Sequence, residues 1–245
     1  MAKTRLDQLV VEQGLAPSRT RAQALILAGS VLVEGTRVDK AGTLVSDAAV
    51  VTLRGEPMPY VSRGGVKLAG ALDAFRVDPR GKRCLDVGAS TGGFTDCLLQ
   101  RGAASVVAVD VGYGQLAHTL RTDPRVVVLE RTNARTLTPA GLGGEVDLTV
   151  VDASFIGLEK LIGAIRDCTR VGGELVALIK PQFEVGREEA SRTKGVIRDE
   201  AVREAAIQGA LGHVREAGFE VIAHVDCVLA GPKGNREAFV HGRRG

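Results

Sequence analysis

The run Leu85-Asp86-Val87-Gly88-Ala89-Ser90-Thr91-Gly92-Gly93-Phe94 passes from an apolar stretch holding one acid into a glycine-rich turn. At such a turn the backbone can approach a ligand closely, at the place where an open α/β sheet binds small molecules. The dinucleotide fingerprint would need glycine at 88, 90 and 93, but position 90 is serine; a P-loop would need lysine after Gly93, but position 94 is phenylalanine. Neither phosphate motif is met. Asp110 closes the next apolar run, 24 residues after Asp86. An acid in the strand, an acid at the next strand end and no lysine in the loop suit a ribosyl ligand whose other end is cationic. S-adenosylmethionine has that shape. Asp110 can accept from both ribose hydroxyls, while the crowded glycines admit the amino-acid tail. A tight connection without ligand would leave three glycines and an acidic strand end unexplained.

Four more residues could do chemistry beside it. Asp152 follows Asp147-Leu148-Thr149-Val150-Val151, and Lys180 stands in Ile179-Lys180-Pro181-Gln182-Phe183. Lys67 lies in Ser62-Arg63-Gly64-Gly65-Val66-Lys67, and Glu237 in Gly234-Asn235-Arg236-Glu237. Singly, a lysine at a strand end is a solvated charge, and Asp152 could cap a helix. If the four converge, they suit methyl transfer to a hydroxyl, which must lose its proton as it attacks a sulfonium methyl. A lysine amine can take that proton if it is neutral; burial and a second lysine favour the neutral form, and carboxylates oppose it. The larger contribution would be placing oxygen, carbon and sulfur in line.

The elements that must position these residues follow from periodicity. Apolar runs at 84–87, 106–109, 126–129, 148–151, 175–179 and 220–228 alternate with helical stretches, which predicts a mostly parallel sheet covered by helices. Before them, Leu6, Leu9 and Val10 at helical spacing end at Gly14, and Ser18 caps a second helix that closes at Gly29. Strands at 31–33 and 36–38 flank a Glu34-Gly35 turn, and a third strand covers 50–53. Gly55-Glu56-Pro57-Met58-Pro59 breaks every period and marks a linker. The expected division is therefore 1–55, linker 56–62, and a doubly wound α/β domain over 63–245.

Composition bounds the possibilities. In 245 residues there is room for one catalytic domain and an accessory, and 44% hydrophobic with 25% charged residues exclude a disordered or fibrous chain. The longest stretch free of Asp, Glu, Lys and Arg, 22–33, is twelve residues, short of the roughly 18 that span a bilayer. Asp7, Gln8 and Glu12 interrupt any signal-peptide core, so a cytoplasmic protein with no membrane contact is expected. Four scattered cysteines without a C-x-x-C pair point to reduced thiols and no metal site. A net charge of +3 permits nucleic-acid binding without demanding it. Arg19 and Arg21 near a helix start could contact phosphates, or could be a solvated face. With 3% aromatics, recognition would be by shape and phosphate rather than stacking.

Arg5-Leu6-Asp7, Gly14-Leu15-Ala16, Ser18-Arg19 and Gly29-Ser30-Val31-Leu32-Val33 look like an S4 RNA-binding domain. Tyr60-Val61-Ser62-Arg63-Gly64-Gly65, the run from Asp86 through Phe94 to Thr95-Asp96-Cys97, Asp110-Val111-Gly112-Tyr113-Gly114-Gln115-Leu116 and Lys180-Pro181-Gln182-Phe183-Glu184 accompany it in order. Over nearly its whole length the chain thus resembles the TlyA, or hemolysin-A-type, ribosomal RNA 2′-O-methyltransferases. The resemblance implies a Rossmann-like, FtsJ-like methyltransferase domain behind a small α+β S4-like domain. It also implies 2′-O-methylation of cytidine in 16S or 23S RNA, with ribosomal RNA in ribosomal subunits as the partner. By the same resemblance Lys67, Asp152, Lys180 and Glu237 are catalytic. S-adenosylmethionine would lie against Asp86, Gly88, Ala89, Ser90, Thr91, Gly92, Gly93, Phe94, Asp110, Val111, Asn133 and Asp152, with Asn133 near the adenine, and RNA against Arg5, Arg19, Arg21 and Arg63. Two stretches depart from the family pattern: Ser191-Arg192-Thr193-Lys194-Gly195 stands where a more glycine-rich run is usual, and Cys227-Val228 replaces a common Ser-Pro. The competing readings are a ribosome-binding module without methyl transfer and a membrane-lytic hemolysin; the latter lacks a membrane-length segment or a strongly amphipathic basic helix.

Overall fold

The computed structural model describes residues 2–54, 58–186, 193, 195–231 and 233–245. Residue 55, residues 56–57 of the expected linker, and Ser191, Arg192 and Lys194 of the departing loop lie outside them. The chain forms two compact units, Met1–Met58 and Pro59–Gly245.

In the first unit, helices Leu6–Glu12 and Arg19–Leu27 follow the predicted apolar spacing. Leu6, Leu9 and Val10 of the first meet Ala22 and Ile26 of the second in one core with Val31 and Val51. Ser18 caps the second helix, its hydroxyl accepting from Arg21 N. Strand β1 (Lys3–Arg5) precedes the helices, and β2 (Val31–Val33), β3 (Thr36–Arg37), β4 (Leu44–Ser46) and β5 (Val51–Leu53) follow. The expected Glu34-Gly35 turn joins β2 to β3 with both residues at positive φ, the hairpin geometry whose twist matches the strands. β5 pairs on the other side of β2, while β1 pairs antiparallel with β4. β1 and β4 carry no legible period, since three residues each are too few to show alternation.

A fully buried carboxylate ties this unit together. Asp7 accepts from Arg5 Nε at 3.0 Å, Arg19 Nε at 2.9 Å and Gln23 Nε2 at 2.8 Å, joining the end of β1 to both helices. The Arg5 guanidinium, with Gln23 and Arg19, holds the Asp7 carboxyl well below its ordinary range against the opposing effect of burial.

In the second unit seven strands form one sheet: β6 (Arg83–Val87), β7 (Ser105–Val109), β8 (Val126–Leu129), β9 (Val146–Val151), β10 (Thr169–Ile179), β11 (Phe219–Asp226) and β12 (Ala238–Arg244), in the order 11-12-10-9-6-7-8. From β10 to β8 the strands are parallel; β12 runs antiparallel to both β10 and β11. Helices Arg63–Phe75 and Gly93–Gln100 cover one face, burying Leu68, Leu72, Phe94 and Leu98 against Cys84, Val106 and Val176. Helices Ile162–Cys168 and Glu200–Glu216 cover the other, with Ile165, Ile207 and Leu211 against Leu85, Val107 and Leu175. Burial on both faces is why these strands read as continuous apolar runs. β12 is not among the expected strands, and its place between β10 and β11 is decided by long-range pairing.

Asp7→Ala should leave Arg5, Arg19 and Gln23 without their acceptor and destabilise the first unit by about 1–3 kcal/mol. With the native carboxyl titrating below its unfolded value, the stabilisation is complete above about pH 4 and lost as pH falls. Hydrogen exchange of the first unit in the full chain measures both effects. Equal protection in wild type and variant at pH 7 would show that the cluster contributes nothing.

Candidate active site

The carboxyl ends of β6, β7, β9 and β10 lie along one edge of the sheet, and the chemistry-bearing residues sit there because each strand ends there. After β6 the chain turns sharply: Gly88 has φ +86°, and a Cβ on it would come within 2.8 Å of the Asp152 carbonyl oxygen. Only glycine fits between the ends of β6 and β9. Gly92 (φ +97°) precedes the first residue of helix Gly93–Gln100, and Ser90 also takes a left-handed conformation (φ 48°).

Asp110 braces the turn, its two oxygens accepting from Ser90 N at 2.8 Å and Gly112 N at 2.7 Å. An ionised carboxylate has about four acceptor positions, so capacity remains for a diol. Asp110, Val111, Gly112, Asn133 and Ala134 line a lobe of about 420 Å³ with Ile156 and Leu161. Its polar edge and apolar wall suit a nucleoside. The Asn133 side chain accepts from Arg135 N at 3.0 Å.

The adjoining cleft, about 670 Å³, shares Gly88, Ser90, Asp152, Ser154 and Phe155 with that lobe. It is lined by Ala89, Thr91, Gly93 and Phe94 of the turn and by Lys67, Asp152, Lys180 and Glu237 together. Lys67 reaches it from the second turn of helix Arg63–Phe75 and donates to Glu237 Oε2 at 2.5 Å, with both side chains buried. Glu237 arrives because β12 runs backwards: Ala238 pairs with Ile179, so the residue before β12 meets the residue after β10. Lys180 Nζ lies 2.6 Å from Asp152 Oδ1, an ion pair out of hydrogen-bonding alignment, and donates to Ser154 Oγ at 2.7 Å. Two cations thus face two anions in one cleft. Asp152 caps no helix, for the next helical turn, Leu158–Lys160, begins after Gly157.

Gly92 and Asp86 line neither cavity. Asp86 is fully buried beneath the turn, accepts from Thr95 Oγ1 at 2.6 Å, and leaves its Oδ1 without a partner among the described residues. Burial, with smaller effects from Asp152 and Asp110, pushes its carboxyl up to about 7. The residues expected on RNA differ in their surroundings. Arg5 and Arg19 turn onto Asp7 while remaining about half exposed, Arg21 is exposed, and Arg63 lines the main cleft, where its Nη2 donates to Ala230 O at 3.4 Å.

Local pattern carried no sign of Ser154, which holds Lys180, or of Phe155, whose exposed ring packs against Phe183 at 5.4 Å at the cleft. It was equally silent about Asn235, whose buried amide accepts from Ile197 N and donates to Gly195 O, both at 2.9 Å. Each depends on residues distant in the chain.

The family profile described as FtsJ-like methyltransferase matches residues 60–244, and that of the S4 domain matches residues 4–51. The chain is 48% identical over 239 residues to the 16S/23S rRNA (cytidine-2′-O)-methyltransferase TlyA of Mycobacterium tuberculosis, covering 97% of this chain and 89% of that one. It is 40% identical to Hemolysin A of Brachyspira hyodysenteriae, covering 97% and 98%. A solved structure from Streptococcus thermophilus, to which a hemolysin name has been given, aligns with TM-score 0.77 and 38% identity over 100% of this chain and 89% of that one. No helix among the described residues is long and apolar enough to cross a membrane.

The state of Asp86 is testable without any ligand. Its folded-state pKa lies above the unfolded value, so the folded protein binds the extra proton between about pH 4 and 7 and loses stability as pH rises through that window. The loss should be on the order of 2–4 kcal/mol. Asp86→Asn, which cannot ionise, should flatten that decline in urea unfolding followed from pH 4.5 to 8. An unchanged pH profile would mean that Asp86 ionises freely in the fold.

Proposed function

The chain belongs to the FtsJ-like methyltransferase family and carries an S4 domain, and from that premise we propose that it transfers the methyl group of S-adenosylmethionine to the 2′-hydroxyl of a cytidine in ribosomal RNA. The observation that supports this most directly is the meeting of Lys67, Asp152, Lys180 and Glu237 in one cleft beside a glycine turn and an acid-edged nucleoside lobe.

The residues fit the cofactor. Gly88 leaves room where a side chain would strike Asp152, and Asp110 retains acceptor capacity for ribose hydroxyls. Asn133 and Val111 would flank the base. When bound, the cofactor supplies a methyl group on a positively charged sulfur. The chain's own residues then have two tasks. Lys180, as the free amine, would take the hydroxyl proton, and the resulting ammonium would be matched by the adjacent Asp152 and Ser154. The buried Lys67–Glu237 pair holds the opposite wall and fixes where the ribose can lie.

The RNA is expected within ribosomal subunits, in the cytoplasm. Arg21 and Arg63, both exposed and neither paired with a carboxylate among the described residues, would be the phosphate contacts, and Arg5 and Arg19 share their charge with Asp7. The S4 unit would supply affinity and the transferase unit chemistry.

Purified protein with labelled S-adenosylmethionine should label separated subunits or free ribosomal RNA from cells lacking the activity, at a cytidine 2′-oxygen. Lys180→Ala should lower turnover on the order of 10²–10⁴-fold while calorimetry shows unchanged cofactor affinity. Normal turnover by that variant would remove Lys180 from the reaction. Arg21→Ala should weaken RNA binding and reduce the salt slope by about one. An unaltered slope would take Arg21 off the phosphate.

A further inference from the structure

Gln182 lies two residues beyond Lys180, on the short helix Pro181–Glu184 that closes β10, and lines the main cleft. Its Oε1 is buried and has no hydrogen-bond partner among the described residues. A buried amide oxygen left unpaired costs about 1–3 kcal/mol, so an acceptor with no partner among the described residues, set in a cleft wall, suits a donor brought by a ligand. The helix that carries it is anchored. Glu184 Oε1 accepts from Leu158 N at 2.9 Å, and the Phe183 ring packs on Phe155. The amide is therefore presented from a fixed backbone.

Besides the ribose hydroxyl, whose proton is the one Lys180 would take, two donors could enter this cleft: the ammonium of the cofactor's amino-acid tail and an amine on the substrate base. Sheet order separates them. The glycine turn that would hold the tail follows β6, and Gln182 follows β10, with β9 between them. Neighbouring strands are about 4.8 Å apart, so the two loops stand roughly 10 Å from each other at their origins. Gln182 does not line the nucleoside lobe either. It stands instead beside Lys180, where the hydroxyl to be methylated must sit, and the base of that same nucleotide lies within a few ångströms of its own 2′-oxygen. Cytosine offers an exocyclic N4 amine as a donor on its pairing edge, where uracil has an oxygen. Unstacked bases in RNA are read on that edge.

We propose that Gln182 is a specificity-determining residue whose Oε1 accepts from the N4 amine of the target cytosine, so that the cleft prefers cytidine over uridine. A site built around such an acceptor rejects the analogue that lacks the donor, because the acceptor is then left unpaired against an oxygen. The inference rests on the methyltransferase reading above.

The test compares methylation of the mapped RNA substrate carrying cytidine or uridine at the target position. Wild type should favour cytidine, and Gln182→Leu should reduce the cytidine-to-uridine ratio of kcat/KM roughly ten- to hundredfold. Gln182→Glu, which keeps an acceptor, should retain the preference for cytidine even if its overall rate falls. A Gln182→Leu ratio equal to that of wild type would overturn the inference. So would an unchanged ratio with weakened cofactor affinity by calorimetry, which would assign the amide to the amino-acid tail. If wild type labels neither RNA, the methyltransferase reading itself fails and takes this inference with it.

Discussion

Two ammonium groups are set into the wall of a partly apolar cleft, and the architecture around it answers the requirement that they be paired. Removing a charge from water costs several kcal/mol unless an opposite charge meets it in good geometry. Lys67 meets Glu237 at 2.5 Å and Lys180 meets Asp152 at 2.6 Å, so neither lysine is buried alone. The first pair links residues 170 positions apart. It can form only if helix Arg63–Phe75 packs over the sheet and β12 enters beside β10 in reverse. A parallel β12 would carry Glu237 to the opposite edge. The one reversed strand, held between β10 and β11, is thus what brings the fourth charged group to the other three.

The glycine turn shows the same dependence in the backbone. Gly88 is required because the end of β6 passes so close to the end of β9 that a methyl group would strike the Asp152 carbonyl. That closeness keeps Asp152, at the floor of both lobes, next to the turn that Asp110 braces. Asp86 supports the turn from below through Thr95 at the expense of its own ionisation. It is a structural acid under the site, outside both cavities.

In the first unit, arginines that the sequence offers to RNA also serve the fold. Asp7 draws in Arg5 and Arg19 and leaves both partly exposed, so their charge is offset locally. Arg21 is exposed and has no such partner among the described residues. On the proposed reading the two roles separate, since Asp7 would act on stability and Arg21 on binding.

Much of this protein was legible in the sequence because its signals are local. Parallel strands buried on both faces leave continuous apolar runs, Ser18 and Glu34-Gly35 announce a cap and a turn, and the glycine turn with Asp110 announces a ribosyl ligand without phosphate. Order along the chain also placed Asp152 and Lys180 at strand ends on one edge. Tertiary structure alone decided what depends on residues remote in sequence. It paired β1 with β4, inserted β12 between β10 and β11, joined Lys67 to Glu237, seated Lys180 on Ser154, and left the Gln182 oxygen in the cleft with no partner among the described residues. A strand's period is written in its own residues, whereas an ion pair or an unmet acceptor is a property of what the fold places opposite it.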